Sequence, residues 1–240
     1  MKKNLIILLF WTITSIGQEK EVVFNSIEEA LLKPTEVKSL DLSDTKLKEL
    51  SIDILKLTNL DKIDLSSNPD INLIQAFEVL KNIKTLKTIW ITDCKLKTIP
   101  NNISELKRLE EIWLDDNELT EFPEPIKKLD NLKYLRLFSN EIKNLSFENN
   151  DLQNLIYIDL CYNKFKTFPV ELSKLKNIKR IIIWYNSINY IPSSINEFKK
   201  IEEINLEHNE ISFLPKEFGE LTTLQKLSLR KNKLKSNALK

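Results

Sequence analysis

A chain of 240 residues with 42% hydrophobic content is long enough to bury a sizeable core as one domain. Its formal charge of +1, which becomes −1 if Lys2 and Lys3 leave with a leader peptide, lacks the net basic field of a general nucleic-acid binder. Gly17 and Gly219 are its only glycines, which excludes the glycine-rich phosphate loop, the dinucleotide fingerprint and the G-x-S-x-G elbow, since each needs glycine where backbone meets ligand or turns sharply.

Met1–Gly17 reads as a secretory signal peptide. Lys2 and Lys3 charge its start, Leu5–Ile16 is apolar, and Ser15 and Gly17 supply small residues before a cut preceding Gln18. The alternatives are a buried N-terminal element or a membrane anchor. Twelve apolar-rich residues are too few to span ~30 Å of hydrocarbon as a helix. No cysteine follows the cut to carry a lipid, and no later run is long enough to span a membrane. The reading is therefore export to the periplasm, cell surface or medium. A cytoplasmic location is the alternative if this segment is no leader.

Residues 18–36 read as a helical cap. Ser26 followed three residues later by Glu29 forms a capping box, opening a helix over Ile27–Leu32 that Pro34 stops. Val22, Val23, Phe24, Ile27, Ala30 and Leu31 are placed to cover the open end of the unit beginning at Val37, as the first member of a stacked array requires.

From Val37 a pattern begins that is neither helical nor a simple alternation: apolar, two free, apolar, one free, apolar, two free, Asn, one free, apolar. It starts at Val37, Leu60, Leu86, Leu109, Leu132, Leu155, Ile178, Ile201 and Leu224, with seven spacings of 23 residues and one, from Leu60 to Leu86, of 26. A fixed period of this length means stacked coils. In the unit at Leu109, Ile112 and Leu114 point inward from a short strand while Glu111, Trp113 and Asp115 point outward. Asn117 turns the chain, its amide able to satisfy buried backbone groups of the neighbouring coil. Asn68, Asn140, Asn163, Asn186, Asn209 and Asn232 repeat the role, with Thr45 and Cys94 as substitutes. Leu119, Phe122, Ile126 and Leu129 fill the far side of the coil.

Pro100, Pro123, Pro169, Pro192 and Pro215 follow an apolar residue at one repeat position and open the segment opposite the strand, where a missing N–H is harmless. The unit at Leu132 has Ser146 there instead. The three extra residues of the unit at Leu60 predict a longer helix around Ile74–Ile83. Cys94 and Cys161 lie three coils apart, ~14 Å at ~4.8 Å per step, beyond disulfide reach, so both are expected as free thiols. At the far end the strand near Leu227–Leu229 is poorly covered. Either that edge self-associates, or Arg230, Lys231, Lys233 and Lys235 make it tolerable by charge.

From Val37 to Lys235 the chain resembles the leucine-rich repeat family in its 23-residue form, LxxLxLxxNxLxxLPxxLxxLxx, near the Ras-suppressor-like and exported bacterial members. The stretch SIEEALLKPTEVKSLDLSD is similar to the lead-in of such bacterial proteins. The resemblance implies an α/β fold: a right-handed, curved solenoid with a parallel concave sheet of about nine short strands and an irregular or short-helical convex side. It also implies binding of other macromolecules through the concave face, without catalysis. Residues 37–235 would be this domain and 236–240 a tail. Disulfide-bonded end caps, typical of animal extracellular members, are absent.

Fold alone does not give function, so the outward positions three, five, seven and eight of each repeat carry the reading. On them lie Trp90, Trp113, Tyr134, Phe138, Tyr157, Tyr162, Trp184 and Tyr185, about three times the aromatic density expected from the 8% of the whole chain. In one reading they only stabilise the sheet as cross-strand pairs, Trp90 on Trp113. In the other they form, with Arg136 and Arg180, the desolvatable centre of a partner-binding surface. An acidic patch of Asp93, Glu111, Asp115 and Asp116 lies beside them, and Lys226, Arg230 and Lys231 lie at the other end, a gradient able to orient a partner.

Catalysis has no site here: His208, the only histidine, sits about two coils from Cys161, too far for a thiol–imidazole pair. Asp93, Asp115 and Asp116 lack a loop of spaced oxygen ligands, so no metal is expected, and no motif implies a cofactor. The sequence thus reads as an exported, monomeric, non-enzymatic module that binds another protein. A carbohydrate-binding envelope module, taking a glycan on its tryptophans, and a structural spacer without ligand are the alternatives.

Overall fold

The computed structural model describes residues 22–235. The expected leader Met1–Gly17, the first residues of the expected cap and the expected tail 236–240 lie outside the described residues. Ten short strands form one open, all-parallel sheet in chain order: β1 (Val23–Phe24), β2 (Ser39–Asp41), β3 (Lys62–Asp64), β4 (Thr88–Trp90), β5 (Glu111–Trp113), β6 (Tyr134–Arg136), β7 (Tyr157–Asp159), β8 (Arg180–Ile182), β9 (Glu203–Asn205) and β10 (Lys226–Ser228). Each repeat contributes one strand at the expected place. The tenth is β1, inside the segment whose sequence signals are helical only; it pairs Val23 with Ser39 and Phe24 with Leu40. Helix α1 (Ile27–Leu32) comes next, with the Ser26 hydroxyl accepting the Glu29 N–H at 3.1 Å. Of the residues expected to close this end, Phe24 and Ala30 are buried, whereas Val22 and Val23 are exposed.

Register is uniform. Equivalent positions pair across every junction, so Ile112 sits beside Ile89 and Leu135, and Trp113 beside Trp90 and Arg136. Up to the last repeat the two inward strand positions, such as Ile112 with Leu114 and Ile181 with Ile183, are buried and stack into one continuous core. A one-residue slip anywhere would turn these side chains out to water, which fixes the register energetically.

The asparagines satisfy the polar groups that coil-to-coil strand pairing leaves over. Asn117 Nδ2 donates to the Ile91 and Leu114 carbonyls at 2.8 and 3.0 Å, while its Oδ1 accepts the Leu96 N–H at 3.1 Å. Asn140, Asn163, Asn186, Asn209 and Asn232 repeat this scheme. Cys94 breaks it, offering only a thiol to the Leu65 and Thr92 carbonyls. The preceding coil tolerates this because its Ile71 N–H bonds within its own turn, to the Asn68 carbonyl.

Opposite the sheet, 3₁₀ turns start directly after Pro100, Pro123, Pro169, Pro192 and Pro215. The Leu132 repeat, with Ser146 for proline, has no helical turn there. The longer unit carries α2 (Leu73–Leu80), whose Gln75 amide accepts the Leu50 N–H and donates to the Leu50 carbonyl, both at 2.8 Å. At the far end Leu227, an inward position, is 36% exposed where its equivalent Ile204 is fully buried.

Candidate functional site

The outer face of the sheet, the concave face of such a solenoid, gathers the predicted aromatics into separate groups. Trp90 and Trp113 stack at 4.0 Å and 12°. Lys62 Nζ lies 3.2 Å from the centroid of Trp90, and the Arg136 guanidinium 4.3 Å from that of Trp113. The cross-strand pairing that the sequence offers as one reading is thus present here, with a cation at each end. Tyr134 and Tyr157 meet obliquely at 6.3 Å on the adjoining strands.

The second group lies just past the strand ends on positions seven and eight. Phe138 packs edge-on against Tyr162 at 5.1 Å and lies 6.2 Å from Trp184. Tyr162 stacks on Tyr185 at 4.5 Å, and Tyr185 stacks on His208 at 4.0 Å. Tyr162 and Tyr185 are about two-fifths exposed. Position eight has positive φ in every repeat, from Asp44 to Lys231. Asp44, Asp93, Asp116 and His208 are of types that visit this region more readily. Tyr162 (φ 52°) and Tyr185 (φ 51°) are bulky residues in the same conformation, where strain tends to accompany function.

The acidic patch differs from the one the sequence suggests. Asp93 and Asp116 are exposed and Glu111 half-buried, but Asp115 is 4% exposed and bound to Arg136 at 2.6 Å. It sits beneath the face as half of an ion pair, because position seven still alternates with the strand and is covered by the neighbouring coil. Asp115 Oδ1 also accepts the Phe138 N–H at 3.1 Å. Arg180, another predicted partner contact, pairs with Glu203 at 2.7 Å and lies 5.8 Å from the ring of Tyr157. Burial pushes the thiols of Cys94 and Cys161 upward in pKa, so both are inert at neutral pH. Both are free, as their spacing implies. Among the described residues no cluster of three or more His, Cys, Asp or Glu is placed to hold a metal ion, and no helix is long and apolar enough to cross a membrane.

Sequence reasoning missed Lys62 and His208 as members of these groups. His208 occupies position eight, one coil after Tyr185, so its place in the ring column was legible from the period. Lys62 was not legible in the same way. It stands at position three, and only its side-chain direction brings it over a position-five ring.

The family model for the leucine-rich repeat matches residues 176–234. A leucine-rich repeat protein of Leptospira interrogans is similar over 89% of this chain and 59% of its own length, at 29% identity and a TM-score of 0.74. Internalin C2 of Listeria monocytogenes is similar over 79% of this chain and 80% of its own length, at 24% identity and a TM-score of 0.62. Toll of Drosophila, in its complex with Spätzle, is similar over 87% of this chain and 33% of its own length, at 20% identity and a TM-score of 0.65. This chain therefore spans about three fifths of the length of the Leptospira protein. No curated protein sequence matches it. With the period, the asparagine scheme and the parallel sheet in place, the chain has the leucine-rich repeat fold, and its residues 176–234 match the family's model. Such folds commonly mediate protein–protein interaction and are typically binding modules rather than enzymes.

Proposed function

We propose that this protein is an exported, non-enzymatic module that binds another protein on the outer face of its sheet, with the ring group Phe138, Tyr162, Trp184, Tyr185 and His208 at the centre. One observation carries this reading. Two tyrosines are kept part-exposed in a backbone conformation that costs roughly 1–3 kcal/mol per bulky residue, and each is stacked in a contiguous patch of rings. Aromatic anchors of this kind dominate binding energy at protein interfaces, and an exposed apolar patch on a monomer ordinarily has a use. The Toll neighbour, solved with Spätzle bound, is an example of the same fold taking a protein partner. The apolar segment after Lys2 and Lys3 supports export.

The carbohydrate reading is weaker on physical grounds. A sugar ring stacks on an open aromatic face, and both faces of Trp90 and Trp113 are occupied by each other, Lys62 and Arg136.

The test is affinity capture from an extract of the native envelope with the wild-type chain and a Tyr162→Asn/Trp184→Ala double variant. The double variant keeps its circular dichroism and loses the captured partner. Capture that survives the double variant removes this site, and a glycan-array signal without protein capture replaces the reading with the carbohydrate one. Deleting the first 17 residues tests export, which an unchanged location would refute.

A further inference from the structure

Two ion clusters on the sheet face have opposite stoichiometry. Glu203 on β9 faces two cations, Arg180 on β8 (Nε at 2.8 Å) and Lys226 on β10 (Nζ at 2.6 Å). Burial acts to raise its pKa, yet the two cations prevail and hold the carboxyl below its usual range. Around β6 the ratio is reversed. Asp115, just past the end of β5, and Asp159 on β7 are 4% and 7% exposed. Arg136 stands on β6, the strand between them: its guanidinium is bound to Asp115 at 2.6 Å, its backbone pairs in register with Asp159, and its charge acts on the Asp159 carboxyl.

We propose that the Asp115–Arg136–Asp159 cluster is a proton-operated switch set into the sheet face: it carries one uncompensated negative charge in alkaline solution and takes up one proton, becoming neutral, as the solution acidifies. Two buried carboxylates beside one cation cannot both ionise cheaply, so one proton is retained toward neutrality. Burial, opposed by Arg136 and reinforced by the charges of Asp159 and Asp116, pushes the Asp115 carboxyl up to about 7. Burial also raises Asp159, against hydrogen bonding from the Cys161 N–H at 3.0 Å, the charge of Arg136 and the Tyr157 hydroxyl. The two acids titrate as a pair rather than as separate groups.

The surroundings come from every neighbouring strand. β4 presents Trp90 beside Trp113, Asp116 lies next in the chain, and β7 supplies Tyr157 and the buried Cys161 thiol. Arg180 on β8 reaches the ring of Tyr157. Because the Arg136 guanidinium also covers Trp113, a change in its pairing is reported by the Trp90–Trp113 stack. If the face takes a protein partner at its ring group, a partner cation at this centre is favoured in alkaline solution. That coupling rests on the partner-binding reading; the switch itself does not, and its test needs no partner.

The test follows the carboxyl resonances of the wild-type chain, labelled with ¹³C-aspartate, from pH 3 to 9, with tryptophan emission recorded in parallel. At least one of the two carboxyls is expected to titrate about two or more pH units above an ordinary aspartate near 3.9, accompanied by a reversible step in emission. His208 stacks on Tyr185 beside Trp184, so a His208→Gln variant is the control for any contribution of that ring to the emission. The step persists in His208→Gln and disappears in Asp115→Asn. If both carboxyls titrate below about pH 5, or the step survives in Asp115→Asn or vanishes in His208→Gln, the switch is wrong. The wild-type resonances decide the matter even if the Asp115→Asn variant fails to fold.

Discussion

Trp90 and Trp113 lie face to face at 4.0 Å, and the pair is closed at both ends, by Lys62 over one ring and Arg136 over the other. The arrangement follows from register. β4 and β5 pair in step, so residues at position five on consecutive strands have no choice but to meet. The outermost ring faces are then the ones that a long cationic side chain on the next strand can reach.

This stack contributes to stability, so its removal is not silent. Trp113→Ala deletes a ring pair, worth about 0.5–1.5 kcal/mol beyond area burial, and a cation–π contact of about 0.5–1 kcal/mol. The expected loss is about 1–3 kcal/mol in urea unfolding. Trp113→Phe should recover part of it. A Trp113→Ala variant as stable as wild type would mean that the two rings are adjacent without being coupled.

The asparagine column gives a second measurement. Asn140 Oδ1 accepts the Leu119 N–H at 3.1 Å and its Nδ2 reaches the Leu114 and Leu137 carbonyls at 3.0 and 3.2 Å, all in the interior. Truncation to Ala strands several of these groups without water, at about 1–3 kcal/mol for each left unsatisfied. Asn232 makes equivalent bonds from a half-buried position in the last coil. Asn140→Ala should therefore cost clearly more than Asn232→Ala, by at least about 1 kcal/mol on chemical denaturation. Equal costs would show that water reaches the interior asparagines as easily as the terminal one.

Much of this was readable from residue types. The period placed every repeat strand, the prolines marked the starts of the outer turns, and the Ser26–Glu29 box set α1, because each is a local signal repeated in register. Strand β1 was missed since two residues, Val23 and Phe24, carry no alternation to detect; they become a strand only because β2 offers an open edge. Asp115 was misplaced for a related reason. Position seven alternates outward, but the neighbouring coil with Arg136 and Phe138 closes over it, and no pattern within one repeat encodes that cover. The division of the aromatics into a capped stack and a ring column also depends on side-chain direction, which spacing does not fix.

Folding stability should carry the signature of Asp115. Its folded carboxyl is raised from 3.8 to about 7, so between those values the native state holds more protons than the unfolded one. Stability then falls as pH rises through this window and levels off above it. At about 1.4 kcal/mol for every pH unit separating the folded and unfolded values, the loss has a ceiling between about 4 and 5 kcal/mol. Urea midpoints measured from pH 5 to 8 should decline for wild type relative to Asp115→Asn. A wild-type midpoint that rises over this range, relative to that variant, would mean that the Arg136 pairing outweighs the desolvation of the acid.

The ring column makes the sharpest prediction, because it sets local backbone preference against contact. Tyr185 has φ of 51°, a conformation that costs an L-residue roughly 1–2 kcal/mol and that Asn adopts more readily. Its stacking on Tyr162 and His208 returns about 0.5–1.5 kcal/mol per aromatic pair. Replacing Tyr185 with Asn relieves the first and forfeits the second, so the net change in stability should lie within about 1 kcal/mol of zero. Tyr185→Val has neither advantage: a β-branched residue fits this region worst and the stack is still lost, so it should unfold measurably earlier than Tyr185→Asn. If the column exists to meet a partner, Tyr185→Asn also lowers partner affinity by an order of magnitude or more while the fold is unharmed. A Tyr185→Asn variant that binds as wild type but melts several degrees lower would instead make the column a device for stability alone.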